Sequence, residues 1–353
     1  MKKYLIPEGG SFYKANLHCH STYSDGEYSP EELKKMYMAQ GYSAIAFTEH
    51  NLMIPHPELN DENFVALMGY ELHFQDEDFA PGADKMYVKS HRTTCGFNFI
   101  SPKPDQTLQP CYHRTMYPHP DNPVGMNRWR PLINYDHNAP DFMHYHEKDH
   151  INNAIKMHQD LGFFCVLNHP GFNQESYEEY TGYEGLDAVE IANFSGITYG
   201  KLDYCEKEYD DLLRTGHRIC CIATDDNHNH ERSHPERRMD SFGGFTMIKA
   251  PKLDYVELVK ALKAGNCYAS QGPLIHELYI ADGKVHIKCS CAREIRMNTG
   301  CRRAEIKWAT NGVPVTEAVF TVQPTDDYIR ITVTDGNGLH ANTRAYFVDE
   351  LLD

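Results

Sequence analysis

Two histidines stand two residues apart, His18 and His20, and Asp25 follows closely in the run Asn16-Leu-His-Cys-His-Ser-Thr-Tyr-Ser-Asp-Gly26. On an extended segment residues i and i+2 leave the backbone on one side, so both imidazoles reach one point in space. A His pair with a carboxylate just beyond it suits a borderline metal such as zinc or manganese. The same signature recurs along the chain. Ser43–Phe47 ends in Thr48-Glu49-His50, and Phe64–Met68 in Gly69-Tyr70-Glu71. Phe163–Leu167 runs into Asn168-His169-Pro170, and Arg218–Ala223 into Thr224-Asp225-Asp226-Asn227-His228. One such histidine is more often a hydrogen-bonded surface residue than a ligand. Five short apolar runs ending this way together reverse that judgement.

His18, His20, His50, His169 and His228, with Asp25, Glu71 and Asp226, exceed what one catalytic zinc needs, which is three protein ligands and an open position. They imply two or three divalent ions (Zn, Mn or Fe) sharing a bridging carboxylate, for which Glu71 is the candidate. The ions outweigh the carboxylates in charge, so the centre suits an anionic oxygen ligand such as a phosphate. Paired ions also suit hydrolysis: one lowers the pKa of a water while the other polarises the ester.

These residues need a scaffold that brings strand ends together. Apolar strands alternating with helices predict a parallel α/β sheet or TIM-like barrel, whose site forms at the C-terminal ends of the strands. Ser29-Pro30-Glu31-Glu32 reads as a helix start with a capping box, and Gly41 stops that helix. Further helices are expected over 151–158 and around Tyr204–Leu213, and a strand over Leu186–Ile191. Residues 90–148 are irregular and rich in proline, tyrosine and histidine, which predicts a lid or binding loop. Its histidines, among them His113 and His144, read as lid surface. After Gly272-Pro273 the chain becomes short, often alternating runs separated by Asp282-Gly283, Asn311-Gly312 and Asp335-Gly-Asn-Gly338, the pattern of a β-sandwich. The expected division is a hydrolase barrel over 1–274, carrying the 90–148 insertion, and a sandwich over 275–353.

Bulk composition narrows the function classes. A formal net charge of -16 argues against non-specific nucleic-acid binding. No apolar run approaches the ~20 residues that span a bilayer, and the first ten residues carry two lysines but no apolar signal-peptide core. Eleven cysteines form no regular framework, so a reducing, cytoplasmic setting is expected. The expected partner is a small phosphorylated substrate, with no nucleic acid and no membrane.

His18-Cys-His20 with Ser24-Asp25-Gly26, then Thr48-Glu-His50, Gly69-Tyr-Glu71, Asn168-His169-Pro170 and Asp225-Asp-Asn-His228, resemble the successive motifs of the PHP (polymerase and histidinol phosphatase) superfamily. The resemblance covers roughly residues 13–272, in order. It implies a distorted (β/α)7 barrel with a two- or three-metal centre, mostly hydrolysing phosphoesters. The tail from about 276 more weakly resembles the sandwich that follows the barrel in some members.

Carried over by position, the resemblance gives His18, His20, Glu71 and Asp226 one ion, and Asp25, His50 and His228 another. Glu71 bridges to an ion also bound by His169. Asp25, Asp225 and His228 are the expected catalytic residues, Asp225 acting behind Asp226 to orient it. Two departures stand out. Glu49 replaces the Asp usual in the second motif, and Gly96 stands where the family carries a further histidine. Either His91 or His73 takes that role, or the ion bound through His169 is weak or missing. Arg92, Lys103, Arg114, Arg130 and Asn193 are the candidate substrate contacts, because guanidinium groups match phosphate in two-point geometry. The leading expectation is a metal-dependent phosphoesterase. Alternatives are an amidohydrolase-type enzyme on a non-phosphate substrate and a catalytically weak metal- or carbohydrate-binding protein.

Overall fold

A computed structural model of the chain describes residues 2–75, 94–115, 126–201 and 204–352. Its elements begin with strands β1 (Lys3–Tyr4) and β2 (Ser11–Asn16), helix α1 (Pro30–Ala39), and strands β3 (Ala44–Phe47), β4 (Val65–Gln75) and β5 (Thr94–Ile100). Helix α2 (Lys148–Asp160), β6 (Phe164–Leu167), β7 (Ala188–Asn193), helix α3 (Glu206–Arg214) and β8 (Cys220–Thr224) continue the alternation. Strand β9 (Phe245–Ala250), helix α4 (Tyr255–Lys263) and β10 (Cys267–Ser270) lead to the all-β tail. That tail holds β11 (Ile275–Ala281), β12 (Lys284–Ala292), β13 (Glu294–Thr299), β14 (Ala304–Trp308), β15 (Val315–Thr321), β16 (Tyr328–Thr334), β17 (His340–Thr343) and β18 (Tyr346–Phe347).

Local chemistry explains the first helix. Ser29 accepts from the Glu32 amide, the Glu32 carboxylate accepts from the Ser29 amide, and Pro30 occupies the first turn where its missing donor costs nothing. The helix buries Leu33 and Tyr37. Tyr37 then donates from its hydroxyl to Asp225 Oδ2 and Asn227 Oδ1, both at 2.8 Å, tying the helix to the β8 loop.

Strands β3, β6 and β8 are buried along their whole length, as expected of strands covered on both faces. The large sheet runs β14-β13-β16-β17-β10-β9-β2-β3-β4-β5-β6-β7-β8. The steps β2–β3–β4 and β6–β7–β8 are parallel, whereas β5 is antiparallel to both β4 and β6. No closed barrel is found: among the described residues no ladder joins β8 back to the start of the sheet. A side chain takes the ladder's place. Thr246 Oγ1 of β9 accepts from the Ala223 amide at 3.3 Å and donates to the Ala223 carbonyl at 3.0 Å. Gly244 allows this approach, because a Cβ there would collide with the Thr224 backbone.

In the tail, β1-β11-β12-β15 forms a second, antiparallel sheet. Leu278, Val285 and Phe320 from it share one apolar core with Ile295, Ile331 and Val333 of the large sheet. Strand β13 lies inside a stretch whose sequence pattern did not announce it.

The 90–148 segment is not one irregular loop. Its residues Thr94–Ile100 are β5, with Cys95, Phe97 and Phe99 buried in the core. The described remainder packs beside the loop after β3: Gln109 accepts from the Met53 amide and donates to the Asn51 carbonyl. Tyr23, close to Asp25, lies 4.4 Å from Trp129 between ring centroids. His144 is not lid surface but buried, near the Phe74 and Phe142 rings.

Two buried polar arrangements test how the core is held. His158 of α2 stacks on Phe99 at 3.5 Å, donates from Nδ1 to the Ala154 carbonyl, and accepts at Nε2 from the Tyr70 hydroxyl. Burial holds this imidazole down to about 3, against an ordinary 6.5. Between those values the unfolded chain binds the extra proton, so stability is lost as pH falls from about 6.5 toward 3. His158→Gln should remove about 3 kcal/mol of that loss between neutral pH and about pH 4, read from urea midpoints. Arg330 of β16 is also buried. Its guanidinium reaches Asp210 Oδ1 and Oδ2 at 2.7 Å each and Glu206 Oε1 at 2.9 Å, joining the tail to α3. Arg330→Met should cost about 1–3 kcal/mol, because Asp210 keeps the Tyr328 hydroxyl and Glu206 keeps Arg296. Adding Glu206→Gln and Asp210→Asn should recover much of that loss in the same unfolding measurement.

Candidate metal centre

The strand ends are laced to one another by backbone bonds. The Asp226 amide donates to the His18 carbonyl at 2.9 Å, His20 to Asn227 at 3.2 Å, and Glu71 to Glu49 at 3.1 Å. Two residues here hold positive φ without being glycine, His169 at 27° and Asp226 at 52°. Such backbone costs of order 1–3 kcal/mol each and persists only where the surroundings enforce it.

The result is a convergence of ligand atoms. His18, His20, Glu71 and Asp226 each offer one within 4.8 Å of the others, and so do His20, Asp25, His50 and His228. Asp226 Oδ1 lies 3.1 Å from Nε2 of both His18 and His20, and those two nitrogens are 3.1 Å apart. Glu71 Oε2 is 3.4 Å from each of them and 3.0 Å from His50 Nδ1. Asp25 meets His50 Nε2 at 3.3 Å and His228 Nε2 at 3.4 Å. His169 Nε2 is 3.1 Å from Glu71 Oε1.

What lies behind the rings fixes which nitrogen faces inward. His18 Nδ1 is 2.8 Å from Glu190 Oε1, His169 Nδ1 3.2 Å from Asn173 Oδ1, and His228 Nδ1 2.9 Å from the Asp226 carbonyl. His20 Nδ1 sits 3.3 Å from Ser24 Oγ. With a proton held on Nδ1 in each ring, the Nε2 lone pairs point at carboxylate oxygens and at each other. That donor set can hold a cation, and imidazoles backed by carboxylates or carbonyls are how proteins present nitrogen to one. The residues therefore fit divalent ions.

The same carboxylates that would face an ion also favour protons on these rings. Burial opposes protonation of His18, but Asp226, Glu190 and Glu71 outweigh it and raise the ring well above its usual range. Burial likewise opposes, and Asp25 and Glu71 overcome, a rise of His50 to about 10. His169 also rises to about 10 against its burial, through Glu71 and Asp226. Glu71 moves the other way. Burial would raise it, yet His73 and His18 hold it well below the carboxylate range.

Asp225 faces elsewhere. Its carboxylate accepts from the amides of Phe242, Gly243 and Gly244 at 2.8–2.9 Å and from Tyr37. Burial pushes it up to about 7 although these donors pull it down. It clamps the loop after β8 rather than touching a ligand ring. Glu49 has a comparable part: Ser21 and Ser24 donate their hydroxyls to it, fixing the turn that carries Asp25. The extra methylene relative to Asp extends that reach.

Among the expected substrate contacts, Asn193 donates to Glu190 Oε2 at 2.9 Å and Asp226 Oδ2 at 3.2 Å, and caps the helix Phe194–Thr198. Arg114 binds Asp141 and the carbonyls of His137 and Ala139, and Arg130 the His113 carbonyl and Asn127. Lys103 pairs with Asp105. His91 and Arg92 lie outside the described residues.

Glu190 is central here: its oxygens reach His18, the His169 amide, Asn193 and Thr224. Its place at the end of an apolar strand marks it in the sequence as a residue able to order the metal shell. Asp240 could not be found that way. It accepts from the His228 and Asn229 amides out of a loop with no local pattern.

The sequence matches the family model of the PHP domain over residues 16–227. The chain belongs to the PHP domain family. Among solved structures it is similar to a two-domain protein from Bacteroides vulgatus containing a predicted PHP-like metal-dependent phosphoesterase, at 14% identity and TM-score 0.45, covering 98% of this chain and 97% of that one. A candidate metal-dependent phosphoesterase from Bifidobacterium adolescentis matches at 14% identity and TM-score 0.41, covering 67% and 92%. An amidohydrolase from Chromobacterium violaceum, with bound sulfate and no metal, matches at 15% identity and TM-score 0.38, covering 61% and 87%. Comparison with curated proteins gave no match.

Because Glu190 sets the proton on His18, Glu190→Gln should weaken divalent-ion binding by about 10–100-fold, measured by competition against a chromophoric chelator.

Proposed function

We propose that this PHP-family chain hydrolyses a small phosphate ester with the help of two or three divalent ions. The observation that carries the reading is the meeting of five Nε2-presenting or carboxylate-flanked imidazoles with Asp25, Glu71 and Asp226 at the strand ends. His18, His20, Glu71 and Asp226 would hold one ion and Asp25, His50 and His228 another, with His169 on the far oxygen of Glu71.

When bound, such ions lower the pKa of a water and stabilise the charge that develops on phosphoryl oxygens. The residues supply the rest. Glu190, Asn173 and the Asp226 carbonyl keep protons on the outer nitrogens of His18, His169 and His228, leaving their Nε2 atoms to face the centre. Glu49 and Asp225 hold the two loops that carry Asp25 and Asp226. Side chains of the insertion, Trp129 among them, pack with Tyr23, Leu52 and Ile54, next to the segments that carry Asp25 and His50. A substrate phosphate enters where these carboxylates are neutralised, which suits a small ester better than a polyanion facing the net charge of -16.

Mn- or Zn-loaded protein should cleave aryl phosphates in a panel that also contains aryl esters and anilides. His18→Ala and Asp226→Ala should each lower kcat by more than about 100-fold, beyond the range seen when only an outer partner of a ligand is changed. Cleavage of the carboxylic esters or anilides in preference to the phosphates would move the chain to a different bond. Activity surviving both substitutions would remove the site assignment.

A further inference from the structure

Glu71 turns its two oxygens to different rings. Oε2 faces His18, His20 and His50, whereas Oε1 lies 3.1 Å from His169 Nε2 and 3.2 Å from His73 Nε2. His73 stands two residues beyond Glu71 on β4, so both side chains leave the same face of the strand. In the β4–β5 ladder its partner is Gly96. A Cβ on Gly96 would lie 2.6 Å from Glu71 Oε1 and 3.5 Å from His169 Cε1. Gly96 therefore brings no side-chain atom to this side of Glu71. The neighbouring strand brings an imidazole instead.

The distances suit ligands of a common ion. With bonds of about 2.1 Å, two neighbouring ligands of one ion sit roughly 3.0–3.4 Å apart for angles between a right angle and the tetrahedral value. The two imidazole contacts of Oε1 fall in that range, and the Asn168 amide donates to the same oxygen at 2.9 Å. His50, Glu71 and His73 also each offer a ligand atom within 4.8 Å of one another. The His73 side chain is 21% exposed against 1% for Glu71, which leaves the open side that a water or substrate oxygen needs.

We propose that His73 is a metal ligand, holding a divalent ion together with Glu71 on the Oε1 side of that carboxylate, beside His169. The inference rests on the reading of the centre as metal-binding and adds to it a position supplied by β4 rather than β5. The competing role for His73 is a plain hydrogen bond to Glu71.

Metal content separates the two. Full-length wild type, His73→Ala and His73→Gln would be loaded with Mn(II), dialysed together and analysed for Mn per chain, with thermal melts confirming the fold. The glutamine keeps an N–H donor within reach of Glu71 but presents no imidazole nitrogen. Both variants should retain one Mn(II) per chain fewer than wild type and keep the remaining ions. Retention of the full wild-type complement by His73→Gln overturns the inference. A wild-type chain that retains no ion overturns the metal-binding reading itself.

Discussion

Burying negative charge is the constraint on which this centre depends. Glu71 and Glu190 are inaccessible to solvent, and Asp226 and Asp25 are nearly so. A buried carboxylate without a partner costs several kcal/mol. Here each is met by imidazole nitrogens, amide protons or hydroxyls, and the surplus of acceptors over protons leaves a position that a cation satisfies. The positive φ at His169 and Asp226 is backbone strain held in place by those same bonds. Strain and buried charge are thus two sides of one arrangement, stable only while the strand ends stay laced.

The scaffold keeps them laced from several directions. Helix α1 reaches the β8 loop through Tyr37, and Asp225 fastens the same loop to the glycines before β9. Glu49 ties the turn after β2 to the end of β3. None of these groups needs to meet an ion, yet each fixes the direction of one that does. The tail is joined to this assembly rather than hung from it: β17 pairs with β10, and Arg330 anchors β16 to α3 through two carboxylates. An ion pair buried this deeply adds little net stability over an apolar substitute, but it sets one relative arrangement of the strand and helix it joins.

Gly96 shows how a single position redistributes roles between strands. Its missing side chain makes room beside Glu71 Oε1, and the ladder puts His73 directly across from it. A carboxylate in the middle of a long strand can be served from either neighbour in register, because alternate residues on both strands face the same way.

The residues of the centre were legible in the sequence because each follows an apolar run at once, and a strand end points its next polar side chain out of the core. The side chains of His18, His20, His50, Glu71, His169, Asp226 and His228 lie together at the strand ends. The capping box at Ser29 and Glu32 was equally local and equally readable. What the sequence could not decide was anything set by contacts distant along the chain. The antiparallel direction of β5 within a proline-rich segment follows from which edges it pairs, and the replacement of a closing ladder by Thr246 depends on how closely Gly244 lets β9 approach β8. Asp240 and Asp225 took their roles from loops folded across the site. Residue type and strand period determined which atoms could meet. Only the packing of strands far apart in sequence decided which of them do, because register and loop closure are set by the whole core and not by any one segment.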